Sequence, residues 1–202
     1  AVVDHEIDTV YYFGGVNGGD DEDKSLLETW GIVNSPVTNI YAYHPSFNRN
    51  FVSGIFADKK IYLIGGNPQG GASQDSSYSY IIEYDIKDSA VTYESKNLVS
   101  GSNELPEQQM TALIGDNVYI FGGANNGIKK DIYRFNVKSH EFDTLEIKLS
   151  EPRAAGKAVV RPSTNQIYIM GGYNEDVDAM KTVEIFNVNG LGDYTIEDGP
   201  SL

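Results

Sequence analysis

Four copies of one six-residue pattern constrain the fold of this chain more than any other feature. The pattern is apolar–Tyr–apolar–apolar–Gly–Gly, with one apolar slot filled once by Tyr. Its copies are VYYFGG (Val10–Gly15), IYLIGG (Ile61–Gly66), VYIFGG (Val118–Gly123) and IYIMGG (Ile167–Gly172). The first glycines of successive pairs are 51, 57 and 49 residues apart. A fixed period of this length indicates a repeat protein.

Further signatures follow and precede each glycine pair. An aromatic residue followed by Asp or Asn lies in IIEYDI, IYRFNV and VEIFNV, and the first repeat offers LETWGI (Leu27–Ile32). We place Trp30 in the aromatic slot because its distance to Arg49 matches the distance from Phe135 to Arg153. Each repeat then has another aromatic 7 to 11 residues later, and an apolar run precedes the last three glycine pairs. We therefore expect four short strands in each repeat.

These residues resemble the kelch repeat, whose units form the blades of β-propellers. The resemblance implies an all-β fold: a kelch-type β-propeller with four four-stranded blades in this chain, at about 1–48, 49–105, 106–151 and 152–202. It also implies structural roles for the paired glycines and for an arginine before the next first strand. These residues are Gly14, Gly15, Gly65, Gly66, Gly122, Gly123, Gly171, Gly172, Arg49 and Arg153. The third repeat departs from the pattern, with Glu107 or a nearby Gln in the region of the arginine.

The physical chemistry of the pattern supports a buried second strand. A run such as VYIF has no polar alternation, which is typical of a strand covered on both faces. Glycines at its end allow positive φ and a close approach of another backbone segment. The arginine is expected to bind backbone carbonyls or an acidic side chain inside the blades.

The two ends of the chain suggest how many blades the protein has. Residues Ala1–Gly15 align without a gap to Ala158–Gly172, so Ala1 is expected to lie in the middle of a first strand. The sequence thus favours a segment of a six- or seven-bladed propeller. The alternative is a propeller that four blades close by themselves.

Composition limits the classes of partner. The chain has 202 residues, no cysteine and a net charge of −14, which excludes disulfides and thiol chemistry and disfavours binding to nucleic acid or anionic membranes. No apolar run approaches the ~18 residues of a membrane span, and the first residues lack the pattern of a signal peptide. We expect a protein partner with a basic patch, although the charge could serve solubility alone. Cytoplasmic and extracellular locations both stay open.

The loops that follow the glycine pairs are long and variable, so we predict a binding surface there. Its candidate residues are Asp20, Asp21, Asp23, Tyr78, Asn126, Tyr173, Asn174 and Glu175. The acidic loop NGGDDEDKS (Asn17–Ser25) lacks the spacing of a calcium-binding loop, and we interpret it as a solvated loop without a metal. For Tyr173, packing and exposure to a partner are equally good interpretations.

The sequence has no recognisable catalytic constellation. The histidines His5, His44 and His140 have no metal-binding spacing, and no Gly-x-Ser-x-Gly motif occurs. We expect no catalytic residues and no cofactor, although a carboxylate pair of the glycosidase type stays open. The preferred function is a non-catalytic protein–protein interaction platform. The alternatives are a propeller that binds a carbohydrate or small molecule, with or without activity on it, and an architectural component of a larger assembly.

Overall fold

The computed structural model describes residues 1–13, 26–31, 42–43, 49–68, 81–95, 105–190 and 192–202. These residues form an all-β structure whose only helical element is a 3₁₀ turn at Pro162–Thr164. Some of the predicted site residues lie outside the described ranges. They are Gly14, Gly15, Asp20, Asp21, Asp23 and Tyr78.

Four antiparallel sheets of four strands confirm the prediction of four short strands in each repeat. Sheet 1 contains β1 (Val2–Asp4), β2 (Thr9–Phe13), β3 (Leu26–Gly31) and β4 (Ala42–Tyr43). A separate short pair joins β5 (Arg49–Asn50) to β8 (Asn67–Pro68). Sheet 2 contains β6 (Ser53–Ala57), β7 (Lys60–Ile64), β9 (Ile81–Asp85) and β10 (Ala90–Ser95). Sheet 3 contains β11 (Met110–Ile114), β12 (Asn117–Phe121), β13 (Ile132–Asn136) and β14 (Phe142–Thr144). Sheet 4 contains β15 (Lys157–Arg161), β16 (Gln166–Met170), β17 (Val183–Gly190) and β18 (Asp193–Asp198).

The strand register repeats from sheet to sheet. The first residue of each six-residue pattern pairs with the aromatic residue of the third strand. These pairs are Val10–Trp30, Ile61–Tyr84, Val118–Phe135 and Ile167–Phe186. The position predicted for Trp30 is therefore confirmed. Sheets 1 and 4 also share the register that the gapless alignment predicts, because Val2 pairs with Tyr11 as Val159 pairs with Tyr168.

The chain divides into two compact units, Ala1–Leu105 and Pro106–Leu202, and each unit contains two of the four sheets. Within each unit the two sheets share one apolar core, and their first strands contact each other: β1 with β6, and β11 with β15. The core of the first unit includes Val2, Tyr11, Phe13, Ile61, Leu63 and Tyr84. The core of the second includes Ala112, Tyr119, Phe121, Ile167, Ile169 and Phe186. Burial of these apolar surfaces is the main favourable contribution to folding.

The second strands differ in how completely they are covered. The apolar runs of β7 (Ile61–Ile64) and β12 (Val118–Phe121) are buried along their whole length, as the sequence predicts. In β16 the pattern alternates, since Ile167 and Ile169 are fully buried whereas Tyr168 and Met170 are only half-buried. β2 of sheet 1 also has one partly open side, since Tyr11 and Phe13 are buried whereas Tyr12 is exposed.

Candidate binding face

The three glycine pairs that the structure describes end their second strands in a left-handed backbone conformation. Values of φ are +62° and +87° for Gly65 and Gly66, and +64° and +89° for Gly171 and Gly172. The third repeat has the same conformation at its pair. Residues with a β-carbon rarely adopt this conformation, which explains why glycine occupies these positions.

The second glycine of each pair also lies against another backbone segment. A β-carbon added to Gly172 would lie 2.4 Å from the carbonyl oxygen of Ala154, and one added to Gly123 would lie 2.7 Å from that of Glu107. The residue after each pair then makes a short antiparallel bridge with this segment. The bridges are Asn50–Asn67, Glu107–Ala124 and Ala154–Tyr173. The glycines therefore fix where the loop that follows leaves the sheet.

Arg153 lies beneath the turn of the fourth repeat and is fully buried. Its Nη1 donates to the carbonyl oxygen of Gly171 at 3.1 Å, and its Nη2 donates to Glu184 Oε1 at 2.7 Å. The second carboxylate oxygen of Glu184 accepts hydrogen bonds from the backbone N–H (2.7 Å) and the hydroxyl (2.9 Å) of Ser150. Arg49 makes the corresponding bond in the second repeat, from Nη1 to the carbonyl oxygen of Gly65 at 2.7 Å. Both arginines thus hold the carbonyl of the first glycine.

The third repeat has no arginine at this position, and the residue there is Pro106 rather than Glu107 or a nearby Gln. The backbone shows the equivalence of Pro106 and Arg153. The residue two positions after each of them, Gln108 or Ala155, has a similar positive φ of +56° or +55°. The residue opposite Ile120 in this repeat is Tyr133, whereas Glu184 is opposite the equivalent Ile169. Glu107 and Gln108 follow this position directly, within the region that the sequence indicates, because the sequence alone does not fix the offset between the bridge and the glycine pair.

We define the loop face of the second unit as residues 106–109, 122–131, 150–156 and 171–182. Tyr173 is half-buried in this face, and its hydroxyl donates to Gln108 Oε1 at 2.7 Å. Its backbone pairs with Ala154 in both directions. Tyr173 therefore connects the segment before sheet 3, which contains Gln108, to the segment before sheet 4, which contains Ala154. Its hydroxyl is hydrogen-bonded within the chain.

Asn174 shapes the tip of the fourth loop. Its Oδ1 accepts hydrogen bonds from the backbone N–H groups of Asp176 (3.0 Å) and Val177 (2.9 Å). This is an Asx turn, in which the side chain takes the place of a backbone acceptor. The residues that follow are all exposed and comprise Glu175, Asp176, Val177 and Asp178. Val177 is 45% exposed, so the loop presents an apolar side chain between carboxylates.

The third and fourth loops meet at Gly127. A β-carbon added to Gly127 would lie 3.3 Å from Glu175 Oε1. The neighbouring Asn126 has a φ of +48°, and its Nδ2 donates to Asn125 Oδ1 at 3.2 Å. Of the predicted site residues that the structure describes, Asn126, Tyr173, Asn174 and Glu175 thus lie on connected loops. Val177 and Gln108 are not among the residues predicted from the sequence, because only the folded loops show which side chains are exposed and which are hydrogen-bonded.

Next to this face, the hydroxyl of Tyr133 is an unusually weak acid. Burial raises the pKa of its hydroxyl to about 12, and the negative charge of Asp131 adds to the effect. Asp131 itself is paired with Lys148, whose Nζ lies 2.7 Å from Asp131 Oδ1. Tyr133 is therefore a neutral side chain at neutral pH in the position that Glu184 has in the next repeat.

The described residues contain no group of three or more His, Asp or Glu side chains that could hold a metal ion. None of their helical segments has the length and hydropathy needed to cross a membrane. The face consists of loops, hydrogen-bonded turns and exposed carboxylates.

Comparison with known proteins shows the fold alone. No family model and no curated protein matches the sequence. Among solved structures, the chain is similar to "Structure of YjhT", with a TM-score of 0.72 and 11% identity, over 96% of this chain and 62% of that one. The chain thus spans less than two thirds of the YjhT chain. The similarity supports a propeller-like β fold made of four-stranded sheets.

Proposed function

We propose that the four sheets are kelch-type blades and that the chain is a non-catalytic platform that binds a protein through its loop face. The observation that carries the proposal is the tip of the fourth loop, where exposed Val177 lies among Glu175, Asp176 and Asp178. An apolar contact within a charged rim is a common composition of protein interfaces. The net charge of −14 agrees with a partner that presents a basic patch.

The hydrogen bonds of the loop support a protein partner over a sugar. A sugar site needs polar side chains directed at the ligand. Here the hydroxyl of Tyr173 bonds to Gln108, and the amide oxygen of Asn174 holds the turn. These groups stiffen the loop, and a stiff loop lowers the entropic cost of binding a partner.

The test is a pull-down with the chain as bait, in which one protein is expected to be retained at a stoichiometric level. The variant Val177→Asp with Glu175→Lys is expected to lose this protein, and added salt is expected to weaken the wild-type complex. A matched control, Ile7→Asp with Glu141→Lys, changes an exposed apolar residue and an exposed acid outside the loop face and is expected to retain it.

Two results would contradict the proposal. One is a partner that both variants retain equally. The other is a glycan-array signal that free sugar competes away and that Tyr173→Ala abolishes, which would support the carbohydrate-binding alternative instead.

A further inference from the structure

The outer face of sheet 4 is partly open. We call it the Val159 face, and it consists of Val159, Arg161, Tyr168, Met170 and Ile185, which cross-strand pairing and alternation place on one side of the sheet. Val159 is 46% exposed, Arg161 is exposed, and the others are half-buried. An apolar patch of this kind indicates an interaction surface.

The chain itself shows what covers a face of this type. In sheet 1 the equivalent residues are Val2 and Tyr11, which are 7% and 2% exposed because sheet 2 covers them. The ring of Tyr11 stacks on Phe56 of the first strand of sheet 2, with 6.2 Å between ring centroids. In the second unit, sheet 4 covers Tyr119 of sheet 3, whose ring centroid lies 5.4 Å from that of Phe186 on β17. The cover is thus in both units a set of apolar side chains of the next sheet.

The chain also carries such a cover on the outer face of sheet 1. We call it the Tyr12 face, and it consists of Val3, Asp8, Val10 and Tyr12. Val3 and Val10 pair with each other as Phe56 and Ile61 do in sheet 2. Tyr12 is 42% exposed, and Asp8 is exposed. The two open faces therefore match the two sides of the packing inside each unit.

Charges at the edge of these faces agree with the same pairing. Between sheets 1 and 2, Asp4 at the end of β1 accepts a hydrogen bond from Nζ of Lys59, the residue before β7, at 3.2 Å. The equivalent of Asp4 in sheet 4 is Arg161, the last residue of β15, and the equivalent of Lys59 in sheet 1 is Asp8, the residue before β2. The acid is thus replaced by a base and the base by an acid, so Arg161 and Asp8 would attract each other as Asp4 and Lys59 do.

We propose that the Val159 face of one copy of this chain packs on the Tyr12 face of a second copy. Tyr168 then lies over Val3, as Tyr11 lies over Phe56, and Arg161 lies beside Asp8. The contact is head-to-tail, since it joins two different surfaces of the same chain. It involves sheet faces and not loops, and it is independent of the proposed loop-face partner.

Sedimentation velocity of the purified chain, from micromolar to sub-millimolar concentration, tests the proposal. Wild type is expected to shift from monomer to an assembly of two or more copies as concentration rises. Val159→Asp is expected to weaken the association at least about tenfold, because it places a charge in the apolar contact. Since Val159 is exposed, this variant is expected to fold, which circular dichroism checks.

A charge exchange identifies the contact. Arg161→Glu and Asp8→Lys are each expected to weaken association about tenfold, and the double variant to restore it to within about threefold of wild type. Lysine suits position 8, since Lys59 has a similar positive φ of +62° against +49° for Asp8. Matched controls at the exposed tip of the β9–β10 hairpin, Lys87→Glu and Asp88→Lys, are expected to have no effect. A chain that stays monomeric at every concentration, or an assembly that Val159→Asp leaves intact or that the double variant fails to restore, would overturn the proposal.

Discussion

Repeats three and four build the same four strands but fill the space beside the glycine turn in different ways. In repeat four, the buried pair Arg153–Glu184 lies there, whereas Pro106 and Tyr133 occupy the equivalent positions of repeat three. Both members change together, which agrees with the high cost of leaving one buried charge without its partner. The difference indicates that the fold does not require one particular ion pair at this position.

The largest expected effect comes from breaking the pair in repeat four. Arg153→Met leaves the carboxylate of Glu184, which is 2% exposed, without its cation and is expected to lower the free energy of unfolding by about 3–5 kcal/mol. Chemical denaturation measures this loss. The double variant Arg153→Met with Glu184→Leu is expected to recover more than half of it, as the apolar pair of repeat three suggests. A single variant that loses less than about 1 kcal/mol would show that the ion pair does not matter for stability.

The second prediction concerns a feature that the two repeats share. Gly172→Ala and Gly123→Ala are each expected to destabilise the chain by about 2–3 kcal/mol, because an added β-carbon meets a carbonyl oxygen and the backbone has positive φ. Gly115→Ala is the control, since it shares the positive φ but has no atom within 4 Å of the added carbon. It is expected to cost about 1 kcal/mol. Unequal losses at positions 172 and 123 would mean that the two turns are not equivalent.

The smallest effect, counted per pH unit, is the dependence of stability on alkaline pH, to which Tyr133 contributes in repeat three but Glu184 does not in repeat four. The pKa of Tyr133 is raised from 10.0 to about 12 in the folded chain, so its stabilising contribution is fully present below pH 10 and is lost as the pH rises from 10 to 12. Within that window the unfolded chain releases the proton first, which lowers the free energy of unfolding by up to about 1.4 kcal/mol per pH unit. Denaturation curves measured across this range check the slope.

Tyr133→Phe is the control for the pH experiment and is expected to flatten the slope without removing it. Burial also raises the pKa of Tyr11, Tyr62, Tyr84 and Tyr119, so these residues add to the alkaline loss. A slope that Tyr133→Phe leaves unchanged would show that Tyr133 ionises as readily in the folded chain as in the unfolded one.

Much of the fold could be predicted from local pattern. The repeated apolar run and the spacing of the aromatics gave the four-stranded sheets and the position of Trp30, because pairing register follows from which residues must face the core. The offset of the arginine position in repeat three was not predictable. Pro106 is identified by the bridge between Glu107 and Ala124, and that bridge joins residues 17 positions apart.

The candidate site was less predictable than the fold. The sequence placed Tyr173 and Asn174 in an exposed loop, but it could not show that their polar atoms are bonded to Gln108 and to the turn. Hydrogen-bond partners of loop side chains depend on how distant segments meet, and no periodic pattern encodes that.

By itself, the sequence of this protein determined the order of the short strands and the positions of the glycine pairs, because these follow from local spacing and from the conformations that each residue allows. The tertiary structure alone decided which copies of the apolar run are covered on both faces. In β12 the pattern is buried throughout, whereas in β16 the same pattern leaves Tyr168 half-buried. Burial is a property of what packs against a strand, and two nearly identical strands therefore differ only in their neighbours.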